Sequence, residues 1–166
     1  MKKTKVLSML IALLMILSVL VSCGAGENVA KSGTARIVIE TQNAGEEKYV
    51  VYEVDLSLLE NRTGGALSLL EYVSGKEGST LYYSATWGGG YGAYINSISP
   101  LYPDSLSNEY ISVYTTEECD FAVPTEYSPT VATVAYEGLT LTYAGVGISS
   151  MTVNDATVIL FRIEKY

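Results

Sequence analysis

The sequence predicts an α+β domain: a mostly antiparallel sheet with one short amphipathic helix lying on it. Three observations point there. Residues 49–56 place Val50, Tyr52, Val54 and Leu56 on one side of an alternating run, with Glu53 and Asp55 on the other. That is the period-two pattern of a half-buried strand. Residues 63–73 break this period, because Ala66, Leu67, Leu70 and Val73 fall together on one helical face. Aromatic usage is lopsided, with 14 Tyr against two Phe and one Trp, and seven of the tyrosines lie between Leu81 and Tyr114. Strands favour Tyr, so this cluster argues first for sheet and second for a recognition surface.

The chain opens with Lys2, Lys3 and Lys5, followed by a nearly unbroken apolar run over residues 6–21. A basic start before such a run is the signature of an export signal, and 16 residues are few for a membrane-spanning helix. Leu20-Val21-Ser22-Cys23 resembles the bacterial lipobox. The resemblance implies cleavage before Cys23, acylation of its thiol by diacylglycerol, and fatty chains such as palmitate holding the mature protein to the extracytoplasmic face of the cell membrane. The expected organisation is a lipoprotein signal peptide over 1–22, a lipidated flexible tether over 23–33, and a single domain over 34–166. The tether is read from its small and polar composition.

Within the domain, residues 35–41 carry Ile37-Val38-Ile39 and pair naturally with 49–56 across a turn at 42–48, giving an opening hairpin. Asn61-Arg62-Thr63 matches a glycosylation sequon, to which a bacterial lipoprotein gives no weight. For the helix at 66–73, Thr63 is placed to cap the start and Gly75 to close the end. Residues 81–98 hold two β-type runs around Gly88, Gly89, Gly90 and Gly92, a hairpin with a glycine-rich tip. Pro100 and Pro103 make 100–108 an irregular connection before a strand at 110–115, and residues 116–129 form an acidic loop. Glu137-Gly138 is a tight-turn signal between strands at 130–136 and 139–143. After a loop at 144–151, Asn154-Asp155 turns the chain into a last strand at 156–163 with at least one face buried. The order of hairpin, helix and further strands is β-grasp-like.

Charge narrows the partners. The whole chain carries −8, and removing the leader leaves 7 basic against 18 acidic residues, a net −11. Nucleic-acid binding needs Lys and Arg to displace counterions, so no nucleic-acid partner is expected, and direct adsorption to anionic lipid is equally disfavoured. Catalysis is not expected either. There is no His, which removes the usual general base and the commonest metal ligand. With Cys23 taken by lipid, Cys119 stands between Glu117-Glu118 and Asp120, carboxylates that disfavour a thiolate. Glu46/Glu47 and Glu117/Glu118/Asp120 supply the paired carboxylates of a glycosidase, and Glu117–Asp120 the oxygens of a calcium site, but solvated acidic loops are the simpler reading and no EF-hand spacing is present. Gly88–Gly92 lacks the Lys-Ser/Thr of a phosphate loop. No metal or cofactor is therefore expected.

The residues best suited to recognition are Trp87, Tyr91 and Tyr94 around the glycine tip, with Asn96 able to add a directional hydrogen bond. Two readings stand side by side: rings offered to a small molecule or glycan, or rings packed in an ordinary hairpin core. At the level of the whole protein the alternative to a ligand-binding module is a structural or adhesive surface domain that binds another protein.

Residues 66–73, Tyr91-Gly92-Ala93-Tyr94-Ile95-Asn96-Ser97-Ile98, Tyr110-Ile111-Ser112-Val113-Tyr114-Thr115, and the closing Gly145-Val146-Gly147-Ile148 with the strand after Asn154-Asp155 together resemble the transcobalamin-like C-terminal domain family. In bacteria this is a domain of unknown function carried on surface proteins and lipoproteins. The resemblance implies a small β-grasp-like fold and a ligand-capping role like that of the animal domain over cobalamin, which makes a corrinoid one conceivable ligand. Many members have a Trp-x-Tyr-x-Val-Asn-Gly type segment where this chain has residues 110–115 without the Trp or the Asn-Gly, so ligand identity is not carried across.

Overall fold

A computed structural model describes residues 26–43 and 48–165. The expected signal peptide, the lipobox with Cys23, and the Glu46/Glu47 pair lie outside the described residues. The fold is α+β. Among the described residues eight strands run β1 (Thr34–Glu40), β2 (Tyr49–Asp55), β3 (Tyr83–Trp87), β4 (Ala93–Ile98), β5 (Glu109–Thr115), β6 (Thr133–Tyr136), β7 (Leu139–Tyr143) and β8 (Val158–Lys165), and an α-helix, α1 (Leu67–Ser74), lies between β2 and β3. Six strands form one sheet in the order β2-β1-β8-β5-β7-β6, while β3 and β4 pair only with each other. The large sheet is antiparallel except at its centre, where β1 and β8 run parallel from Arg36 opposite Val158 to Ile39 opposite Phe161.

The central strands are buried on both faces, as near-continuous apolar runs in parallel pairs require. On the first face Ala35, Ile37, Ile39, Ile159 and Phe161 pack with Leu67, Leu69, Leu70 and Val73 of α1 and with Ala93, Ile95 and Ile98 of β4. On the second face Val38, Val158 and Leu160 meet Tyr114, Val134, Tyr136 and Leu141. The second face is closed by curvature. The β5–β7 ladder lasts only for Tyr114 opposite Tyr143 and Thr115 opposite Thr142, after which the β6–β7 hairpin swings back over the sheet. Its end reaches the opposite edge: Tyr136 stacks edge-on against Tyr49 of β2 with centroids 5.0 Å apart, and Arg36 pairs with Glu137 at 2.6 Å. Glu137 and Gly138 both take positive φ, 47° and 79°, the turn whose twist matches the flanking strands.

Two expectations change. The stretch taken as a tether is in part folded. Val29 is buried and forms a parallel bridge with Val153, the Asn28 amide donates to the Arg62 carbonyl and the Ala30 amide to the Val153 carbonyl, and Arg62 Nη1 returns to the Ala30 carbonyl at 2.5 Å. Val29 is a lone apolar residue among small polar ones, with no periodicity to announce it; burial of its side chain and four backbone–backbone bonds, to Arg62 and Val153, fix this stretch. Folded contacts therefore reach back to Asn28, ahead of the expected start at Thr34. Thr63 is also not the helix cap. Ala66 holds that position without a side-chain bond, and Asn61 Oδ1 instead accepts from the Thr63 and Gly64 amides in an Asx turn just upstream. Gly65 is required by its φ of +54° and by the Met151 carbonyl, which would lie 2.6 Å from any Cβ there. Gly75 does end the helix, its amide bonding the Glu71 carbonyl at 3.0 Å.

Helix α1 lies against β2 and the 3-10 turn Ile148–Ser150, and Leu70 is fully buried. Truncating it removes core volume that the surrounding strands cannot refill. Leu70→Ala is expected to cost about 2–5 kcal/mol of unfolding free energy in urea titrations; a loss below about 0.5 kcal/mol would mean that the helix is not an integral layer of the fold.

Candidate functional site

The β3–β4 hairpin presents the sequence-predicted residues, and its register decides how. Ala85 faces Ile95, Thr86 faces Tyr94 and Trp87 faces Ala93, with a shift between Ser84 and Ala85 that leaves Asn96 as the extra residue of a bulge. Ala93, Ile95 and Ile98 are buried, so this side of the hairpin is fastened to the core. Tyr94 and Asn96 alternate with them and point outward, 47% exposed in the case of Tyr94. Trp87 shares the inward side with Ala93 but lies at the strand end, beyond the core, and is 69% exposed. Tyr91, in the 3-10 turn Gly89–Tyr91, is 66% exposed.

The tip is docked. The Gly147 amide donates to the Tyr91 carbonyl at 2.7 Å and the Ala93 amide to Ser149 Oγ at 2.9 Å. Gly92 has φ +96°, and a Cβ there would lie 2.7 Å from both Ser149 Oγ and Ser150 Oγ, so only glycine brings the tip this close. The Tyr94 ring rests on Gly88. Asn96 Nδ2 donates to Thr86 Oγ1 at 2.7 Å across the strands.

The rings are therefore surface groups and not core. They do not form one pocket, because Tyr94 with Asn96 occupies the outer face while Trp87 and Tyr91 project from the end. Tyr94 borders only a small hollow of about 60 Å³, shared with Ile111, Val113 and Tyr143. Two further rings escaped the sequence reading. Tyr82 and Tyr102, each about two-thirds exposed, flank the other end of the hairpin, where the Ser99 amide bonds the Tyr82 carbonyl. Their place in the tyrosine cluster was visible, but not that they remain outside the core.

A polar network crosses the second face of the large sheet. Glu40 takes Lys48 at 3.1 Å and Arg162 at 3.5 Å. Glu164 lies 3.6 Å from Arg162 Nε and accepts from Tyr114 Oη at 2.6 Å and Tyr110 Oη at 3.3 Å. Burial, then the hydrogen bond and charge of Glu164, hold the Tyr114 phenol far above the ordinary tyrosine range. The network depends on β5–β8 register, which no local pattern encodes.

The acidic loop differs from the solvated stretch that its composition allowed. Glu117 accepts from Asn154 Nδ2 at 2.8 Å and from the Thr157 hydroxyl. Asp120 is 4% exposed and accepts from the Thr152 amide at 2.6 Å, while Cys119 donates to Thr152 Oγ1. These side chains knit the loop to residues 152–157. Among the described residues no group of three or more His, Cys, Asp or Glu is placed to hold a metal ion.

No family profile matches the chain, and no curated protein matches it. Solved structures do: one is a crystal structure described as a "putative metal binding protein" from Ruminococcus gnavus ATCC 29149, with 10% identity, a TM-score of 0.48, and coverage of 81% of this chain and 98% of that one. What the geometry itself defines is an α+β domain that holds out a ring-bearing hairpin on a rigid base.

Burial raises the Asp120 carboxyl above the ordinary aspartate value, with the Thr152 amide partly opposing the shift. The folded chain then keeps this proton to higher pH than the unfolded chain, so the contribution is complete below about pH 3.9 and is lost as pH rises through the folded value. Asp120→Asn keeps an acceptor for the Thr152 amide without the buried charge. Urea titrations are expected to show the variant matching the parent near pH 3.5 and gaining on it toward about pH 7; a constant difference across that range would contradict the assignment.

Proposed function

We propose that this chain is an extracytoplasmic lipoprotein, anchored through Cys23, whose domain is a non-catalytic binding module contacting its ligand through the β3–β4 hairpin. The exposure of Trp87 and Tyr91 on a docked tip carries the reading. Large rings that could have been buried are held in water, and rings presented this way gain most from desolvation against a partner. A glycan or a flat small molecule such as a corrinoid suits ring-face contact. The centre of the sheet, β2-β1-β8-β5 with β1 and β8 parallel and α1 following the first hairpin, fits a β-grasp-like fold and so the capping role implied by the transcobalamin-like family. The lack of His and the pairing of Glu117 and Asp120 with Asn154 and Thr152 support a role without catalysis.

The docked segment gives the anchor a short reach. Asn28 is five residues from Cys23, at most about 18 Å of extended chain, which keeps the domain against the membrane surface. Among the described residues no helix is long and apolar enough to cross a membrane.

Adhesion to another protein is the second reading. It is favoured by the spread of exposed rings to both ends of the hairpin, Tyr82 and Tyr102 included, a wider span than one small ligand covers.

Trp87→Ala is expected to leave unfolding free energy within about 0.5 kcal/mol of the parent while abolishing the thermal shift given by whichever corrinoid or oligosaccharide of a screened panel binds. If truncation unfolds the domain, or the shift survives it, the hairpin is not the contact. Cys23→Ser is expected to end labelling by radioactive palmitate and to release the protein from the membrane fraction or leave it as precursor. A variant still processed and membrane-bound would refute the anchor.

A further inference from the structure

The second face holds a hollow of about 390 Å³ beneath the loop that joins β5 to β6, within the size range of small-molecule sites. Its construction is specific. The Tyr143 backbone holds both ends of the loop, accepting from the Ala122 amide at 2.9 Å and donating to the Ala132 carbonyl at 3.0 Å. In between, the Thr125 amide bonds the Ser128 carbonyl, and the Ser128 amide bonds Thr125 Oγ1. The hollow lies between this strap and the sheet, lined by Tyr110 and Tyr143, by Glu164, by the aliphatic wall of Val123, and by the hydroxyl residues Ser128 and Thr130.

Glu164 is the one formal charge on that lining. Arg162 approaches it only to 3.6 Å, divides its charge with Glu40 at 3.5 Å, and is absent from the wall. Phenol hydroxyls donate to each carboxylate oxygen, and every carboxylate oxygen keeps a further lone pair. Rings beside a carboxylate, in a hollow whose remaining lining is aliphatic apart from Ser128 and Thr130, attract a cation twice, through charge and through the negative ring faces. An anion would meet Glu164. A sugar would find two aliphatic hydroxyl residues and no amide or guanidinium on the lining to match its hydroxyls.

We propose that this hollow binds a small organic ammonium ion with an apolar body, with Glu164 as counter-charge and Tyr110 and Tyr143 as ring walls. The site is separate from the hairpin and stands or falls independently of it. Burial followed by the Glu164 charge also holds the Tyr110 and Tyr143 phenols above their ordinary range.

The test uses the full-length protein at constant ionic strength, titrated with choline chloride, n-butylammonium chloride and, separately, glucose, and followed by calorimetry and thermal shift. Saturable binding of the two ammonium ions and not of glucose is expected, weakened about tenfold or more by Glu164→Gln. Val123→Trp, which fills the hollow from an exposed wall position, is expected to weaken both ammonium ions without touching the carboxylate, and it decides the matter if Glu164→Gln fails to fold. No saturable ammonium binding, equal binding by the parent and Val123→Trp, or saturation by glucose instead would overturn the proposal.

Discussion

The parallel pairing of β1 with β8 is the constraint on which the rest of the domain depends. It joins residues about 120 positions apart, a closure that costs chain entropy before any contact compensates. The compensation comes from burial on both sides at once. Ile37, Ile39, Ile159 and Phe161 face α1 and the β3–β4 hairpin, while Val38, Val158 and Leu160 face the curled β6–β7 hairpin. Remove the central pair and β2 loses β1, β5 loses β8, the helix loses its floor, and the ring-bearing hairpin loses its base.

The two faces then serve different ends. On the first, alternation along β4 sends Ala93, Ile95 and Ile98 inward and leaves Tyr94 and Asn96 outside, so the same residues that secure the hairpin also orient its outer surface. On the second, the brief β5–β7 ladder forces the sheet to curl. The curl covers one end of that face with apolar side chains and leaves the other end to Glu40, Arg162, Glu164 and their tyrosines. Short ladders and bulges here set where surface groups point, as they commonly do near sites.

Sequence reading went furthest where one local pattern decided the outcome. Alternation located β2, the 3.6-residue stripe located α1, and Glu137-Gly138 located a hairpin turn, because each is settled by neighbours in the chain. It fell short where a distant partner decided. Val29 looked like linker because its bridge to Val153 comes from the far end of the chain. Asp120 looked solvated because the Thr152 amide that satisfies it lies 32 residues away. For the recognition residues, composition selected Trp87, Tyr91 and Tyr94, yet only the bulge at Asn96 and the strand register show that Trp87 and Tyr94 face different ways. Tyr110, Tyr114 and Glu164 were individually ordinary until β5 lay beside β8.

The same central pair sets how the molecule carries tension. Because β1 and β8 run the same way, the start of the first strand and the end of the last lie at opposite ends of the sheet. A force drawing the two termini apart slides these strands along each other, straining their hydrogen bonds together instead of unzipping them one by one. The Val29–Val153 bridge and the Arg62 hold on Ala30 stand ahead of that joint on the side of the chain start. Load arriving from the amino-terminal end thus meets a small sacrificial clasp before it reaches the strands that hold the body together.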